Sequence, residues 1–339
     1  MATACLQRQR RRLSCLSAHM AATQQQLPEV KMVVGTNNFG GRMDLPQVKR
    51  ALAMLAVEGV TELDLARAYN GGATEVALGA ALAGAPAQFT IATKTHFNKL
   101  GYQRVLDDMK LSLSALDRQS VDIYYLHSPD GEASLTETLR AVNELHSQGA
   151  FGTLAVSNFT AWQTMQIIQL SKENGWLLPK IYQGGYSAIQ RGAEREIIPL
   201  CRAQGMAFYA YSPLARGLLT AKHSLDKPEE STHPFQEKFW SAQTFSAIEH
   251  ISDACIAHCV PSVREAALRW LRHHSVLSGA AGDAVVLGAS SVEQLQENIG
   301  EARGGVLPPQ VVTAIEEAHE VLHPIAHFLD MQTVATMKV

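Results

Sequence analysis

The chain has 339 residues, 46% apolar and 18% charged, with a formal net charge of -3. That composition supports a large core, is far from that of a disordered chain, and gives no basic field for nucleic acid. No apolar run reaches the roughly 20 residues of a membrane-spanning helix, and five cysteines (Cys5, Cys15, Cys201, Cys255 and Cys259) at irregular spacing make no disulfide framework,.

Residues 1–30 stand apart as an N-terminal extension. Positions 1–28 hold no acidic residue, and Arg8, Arg10, Arg11 and Arg12 cluster among Ser, Ala and Gln. Such a start reads equally as a disordered cytoplasmic extension or as a transit peptide for a mitochondrion or chloroplast.

From Met32 onward, β-prone runs alternate with helical patterns. Lys31–Val34 reads as a strand and Leu45–Glu58 as a helix stopped by Gly59,. Strand Thr61–Leu65 precedes helix Thr74–Leu82, and strand Phe89–Thr93 precedes helix Gln103–Leu116. Strand Val121–Leu126 precedes helix Leu135–Ser147, closed by Gly149. Strands Thr153–Val156, Lys180–Gln183 and Ala207–Tyr211 are separated by helices Trp162–Glu173 and Glu194–Ala203. Strand Ala284–Leu287 with helix Val292–Ile299 closes the series,. His250–Cys259 holds two His and two Cys, but the spacing matches no zinc site and the stretch reads as one helix, so no metal is expected,.

Strands alternating with helices imply parallel strands joined by right-handed crossovers. About eight such units fit a single (β/α)8 (TIM) barrel over residues 31–322, with a tail at 323–339. The sequence leaves the open doubly wound sheet as an alternative, although no GxGxxG follows the first strand.

A barrel enzyme carries its chemistry at the C-terminal strand ends. The polar residues there are Asp64, Tyr69, Lys94, His127, Ser157, Asn158, Gln183, Tyr211 and Ser212. Carbonyl reduction needs a hydride, which no side chain supplies and a nicotinamide does. It also needs a proton. A phenol of ordinary pKa about 10 supplies one more readily beside an ammonium. Tyr69, Lys94 and Asp64 are the acid, the ammonium and its carboxylate partner, and His127 is a hydrogen-bond donor to the carbonyl oxygen. Each of the four alone has a bland reading as packing or a solvated loop residue; together they point to one site.

Glu62-Leu63-Asp64-Leu65-Ala66-Arg67-Ala68-Tyr69, Ile91-Ala92-Thr93-Lys94, Tyr125-Leu126-His127-Ser128-Pro129-Asp130 and Val156-Ser157-Asn158-Phe159 resemble motifs of the aldo-keto reductase superfamily. Gly40-Gly41-Arg42-Met43-Asp44, Tyr209-Ala210-Tyr211-Ser212-Pro213-Leu214-Ala215 and Ala267-Leu268-Arg269-Trp270 are most similar to its aflatoxin-aldehyde reductase branch. The resemblance spans residues 31–322. It implies NADPH-dependent reduction of aldehydes or ketones, with Tyr69 as general acid, Lys94 as its pKa modifier, Asp64 as partner of Lys94 and contact to cofactor, and His127 on the substrate.

It further implies that Asn158 and Gln183, with Ser157 beside them, hold the nicotinamide carboxamide and that Tyr211 stacks on the ring. Ser212, Leu214, Arg216 and Lys222 would follow the pyrophosphate. Ser290, Ser291, Gln294 and Asn298 would hold the adenosine end at a helix N-terminus. The branch implies a homodimer.

Three departures matter. Gly288, Ser291 and Gln294 place no charge where much of the superfamily grips a 2′-phosphate. Ala215-Arg216-Gly217 replaces a Gly-rich turn. Phe235 and Lys238 stand where the branch has a Tyr and an Arg for acidic aldehydes, and Lys lacks the bidentate fork, so succinic semialdehyde is expected to fit poorly,. A channel-associated cofactor-sensing subunit is the competing function.

Overall fold

The computed structural model describes residues 28–85, 88–220 and 241–330, with side chains placed to 323. Among them the parallel strands β1 (Lys31–Gly35), β2 (Glu62–Asp64), β3 (Thr90–Lys94), β4 (Val121–Leu126), β5 (Phe151–Ser157), β6 (Ile181–Gly185), β7 (Ala207–Tyr211) and β8 (Ala284–Gly288) pair in chain order. β8 returns to β1 in register from Lys31 opposite Ala284 to Gly35 opposite Gly288, which closes the barrel and removes the open-sheet alternative.

The helices are α1 (Leu45–Glu58), α2 (Ala73–Leu82), α3 (Tyr102–Leu116), α4 (Leu135–Ser147), α5 (Ala161–Asn174), α6 (Ile197–Gln204), α7 (Ala242–Ala257), α8 (Val263–His273), α9 (Val292–Ala302) and α10 (Pro309–Asp330). Local chemistry sets several boundaries. Asp44 and Gln47 form a reciprocal capping box at α1, and Gly59 ends it with φ 66°,. Thr160, Gln163 and Gly175 do the same for α5.

The expected helix from Glu194 begins at Ile197 instead. Pro199 donates no N–H and tolerates only the first turn, so Gly192–Glu194 forms a separate 3-10 turn,. Two helices went unread in the sequence. α8 starts at Ser262, whose hydroxyl accepts from the Glu265 N–H, a signal that was present,. α10 runs on to Asp330, so the tail expected from 323 begins inside a helix; Val311, Ala314, Ile315, Ala318 and Leu322 are buried at helical spacing and carry it past that point,.

Burial follows the strand period of two. Val33, Ala92, Ile123, Ala155, Ile181 and Val286 fill the barrel interior. Their neighbours Val34, Ile91, Tyr124, Leu154, Tyr182 and Leu287 face the helices in the larger core. Both faces are therefore covered, which is why the strands read as continuous apolar runs. No helix among the described residues is long and apolar enough to cross a membrane.

Candidate active site

Asp64 and Lys94 are the last residues of β2 and β3, His127 follows β4, Ser157 and Asn158 span the end of β5, and Tyr211 ends β7. Parallel pairing puts Lys94 opposite Tyr125 and Ser157 opposite Gln183. The expected residues of this group thus converge on one barrel mouth.

Lys94 is fully buried, and its Nζ donates to Asp64 Oδ2 and to the Leu65 carbonyl, both at 2.7 Å. The other Asp64 oxygen accepts from Gln183 Nε2 at 2.8 Å. Buried charge is costly unless paired and hydrogen-bonded, and here both oxygens of Asp64 are engaged. The Lys94 ammonium lies 5.2 Å from the Tyr69 ring centroid. Among the described residues the Tyr69 hydroxyl has no hydrogen-bond partner, and the residue keeps part of its surface open at the mouth.

In the unliganded site burial, and then the Asp64 charge, push the Tyr69 phenol above its ordinary value. Both effects disfavour the phenolate, so the resting phenol keeps its proton,. Burial also lowers Lys94, with Asp64 partly restoring it.

His127 was expected to be a donor to a carbonyl oxygen. Its imidazole is pulled down to about 3, by burial first and Lys94 second, so it is neutral at physiological pH. Its Nδ1 faces the Thr95 carbonyl at 3.2 Å, so that nitrogen carries the proton,. Nε2 then presents a lone pair, and donation from it needs a second proton or a turned ring.

The residues expected on the nicotinamide side are tied together. Asn158, with φ 64°, donates from Nδ2 to the His127 carbonyl and to Ser157 Oγ, both at 3.0 Å, while its Oδ1 accepts from the Tyr211 hydroxyl at 2.9 Å. After β7, Ser212, Ala215, Arg216 and Gly217 all have positive φ. The non-glycine residues among them hold that conformation at about 1–2 kcal/mol each. Turns of this kind present backbone N–H groups to anions. Arg216 is exposed beside them.

At the far end, Ser291 caps α9 by accepting from the Gln294 N–H at 3.2 Å, and Gln294 Oε1 accepts from Ser290 N–H and Oγ at 2.8 and 2.9 Å. Asn298 Nδ2 donates to the Gly288 carbonyl at 3.0 Å, but its Oδ1 is buried with no partner. A buried acceptor without a donor is costly and fits a ligand's amine. This set of donors and acceptors fits a dinucleotide cofactor. Lys222, Phe235 and Lys238 lie outside the described residues.

Two residues at the site escaped the sequence reading. Thr95 holds His127 through its carbonyl and through its hydroxyl, which accepts from the His127 N–H at 3.0 Å. Phe97, half exposed, stands edge-on to the His127 ring with centroids 5.1 Å apart. Tyr69 meets the same ring edge-on at 6.1 Å, so the mouth has an aromatic wall. The signal available was an aromatic on a strand-end loop.

Comparison with known proteins agrees with this geometry. Residues 31–320 match the aldo/keto reductase family. Human aflatoxin B1 aldehyde reductase member 2 is 39% identical over 89% of this chain and 90% of its own length. Human aldo-keto reductase family 7 member A3 is 38% identical over 87% and 96%. A glycerol dehydrogenase of Gluconobacter oxydans shares the fold, with a TM-score of 0.73 at 22% identity over 90% of this chain and 95% of that one. With a family match across most of its length and human relatives near two-fifths identity, the chain belongs to the aldo/keto reductase family.

Proposed function

We propose that this chain reduces aldehydes or ketones to alcohols with NADPH, using Tyr69 as the acid. The observation that carries the reading is the buried Lys94–Asp64 pair beside Tyr69, whose hydroxyl has no hydrogen-bond partner among the described residues. When bound, NADPH supplies a hydride to the carbonyl carbon. Tyr69 gives its proton to the carbonyl oxygen and is left as phenolate beside Lys94. The ammonium stabilises that charge where it develops, and Asp64 fixes the ammonium. Solvent at the mouth returns the proton to Tyr69. His127 lines the pocket beside Tyr69, edge-on to its ring, and with its ring turned it would donate to the carbonyl oxygen.

Asn158, Gln183 and Tyr211 would hold the nicotinamide, Ser212, Leu214, Arg216 and Lys222 the pyrophosphate, and Ser290, Ser291, Gln294 and Asn298 the adenosine. The orphaned Asn298 oxygen supports this. NADPH is favoured over NADH, and a higher catalytic efficiency with NADH would reverse that preference. Relatives named for an aflatoxin aldehyde support reactive carbonyls as the substrate class. The aromatic wall favours neutral aromatic aldehydes over succinic semialdehyde. The reading extends to a cytoplasmic homodimer whose barrel domain spans 31–322; fractionation of the native cells and sedimentation check these two points.

The test follows loss of NADPH absorbance with 4-nitrobenzaldehyde, methylglyoxal and succinic semialdehyde, comparing the natural protein with Tyr69→Phe. Turnover that collapses in the variant while NADPH still binds supports both the activity and the acid. Tight NADPH binding with no turnover in the natural protein points instead to the cofactor-sensing subunit.

A further inference from the structure

We infer that Arg67, Glu75 and Thr93 are positioning residues that fix the Tyr69 loop against the strand bearing Lys94; this rests on the reductase reading above. Glu75, on the first turn of α2, is fully buried and too deep to touch a substrate. A carboxylate there is tolerated only with strong partners. It has two. Its Oε1 accepts from the Thr93 hydroxyl at 2.7 Å, and its Oε2 is ion-paired with Arg67 Nη1.

Those partners sit beside the reacting pair in sequence. Thr93 immediately precedes Lys94, and Arg67 is two residues before Tyr69. One buried carboxylate thus joins the strand that carries the ammonium to the loop that carries the phenol. The Arg67 N–H also donates to the Lys94 carbonyl at 3.3 Å.

The loop rests on the guanidinium. At Gly72, where φ is 95°, an added Cβ would lie 1.3 Å from Arg67 Nη2. Asn70 and Gly71 before it are also left-handed, at φ 49° and 62°. From the other side Asn70 Nδ2 donates to the carbonyls of Asn37 at 2.8 Å and Phe39 at 3.2 Å. Tyr69 is therefore held in a turn that Arg67 supports from below and Asn70 ties to the loop after β1. Loosening the Arg67 side changes the distance between Tyr69 and Lys94 without removing either.

The experiment compares the full-length natural protein with Glu75→Gln, Thr93→Val, Arg67→Met and Arg67→Lys. It reads kcat, KM for NADPH and aldehyde, the pH profile of kcat, and thermal stability. Misplacing a reacting group by about 1 Å costs up to about 100-fold, so kcat is expected to fall about 10- to 100-fold with the NADPH KM within about twofold. The basic limb of the profile is expected to move to higher pH, because a phenolate farther from Lys94 is less stabilised. Arg67→Lys is expected to recover part of what Arg67→Met loses, having charge without the planar fork.

If Glu75→Gln does not fold, Thr93→Val decides, since it keeps the ion pair. Folded variants with reduced melting temperature but unchanged kcat and pH profile would overturn the positioning role and leave the reductase reading intact. A natural protein with no turnover overturns both.

Discussion

The barrel contains two carboxylate–lysine–tyrosine groups, one at each end. At the mouth are Asp64, Lys94 and Tyr69. At the floor, Lys31 Nζ donates to Glu62 Oε2 at 2.6 Å and to the Tyr209 hydroxyl at 2.5 Å. The residue types match, and burial raises the pKa of both phenols. The lysines differ sharply: the Lys94 side chain is 0% exposed and that of Lys31 is 45%. The phenols differ in the opposite sense. Tyr209 is buried with its oxygen occupied, whereas among the described residues the Tyr69 hydroxyl has no hydrogen-bond partner. What sets the proposed acid apart is therefore a dry ammonium beside it and a hydroxyl without a hydrogen-bond partner. The floor group lacks both conditions and serves as a hydrogen-bonded plug.

The largest effect expected from this contrast is on turnover. Tyr69→Phe should lower kcat by about 10²–10⁴-fold, the usual worth of a positioned acid. Tyr209→Phe should leave kcat within about twofold and cost about 1 kcal/mol of stability. Equal losses in the two variants would erase the distinction between mouth and floor.

Next come the lysines. Lys94→Met strands a buried carboxylate, a change worth about 3–5 kcal/mol. Lys31→Met removes a part-exposed pair worth about 1 kcal/mol or less. Urea denaturation of both variants measures the difference, and a floor variant as unstable as the mouth variant would contradict the burial argument.

A smaller effect concerns pH. The unfolded His127 takes a proton near its ordinary value of 6.5, while the folded imidazole refuses it down to about 3. Stability is therefore complete above about 6.5 and declines as the pH falls toward 3, by at most about 1.4 kcal/mol per pH unit from this group. His127→Gln should flatten the curve in that window, and an unchanged slope would remove His127 as the cause.

The smallest effect is expected away from both groups. Asn298→Leu should raise the KM for NADPH about tenfold by deleting one hydrogen bond, with kcat unchanged. A KM equal to that of the natural protein would take Asn298 out of the cofactor site.

The alternation of short apolar runs with helical stretches determined the order of the elements and placed Asp64, Lys94 and His127 at strand ends. That information is local, because period and capping act within one or two turns. What the site does with those residues was decided only in three dimensions. The closure of β8 on β1, the neutral His127 with its proton toward Thr95, and the raised Tyr69 phenol depend on which distant groups meet at the mouth. So does the link from Thr93 through Glu75 to Arg67. Residues far apart in the chain share no local period, and a pKa depends on the solvent removed and the charges gathered around a group, which only the folded barrel sets.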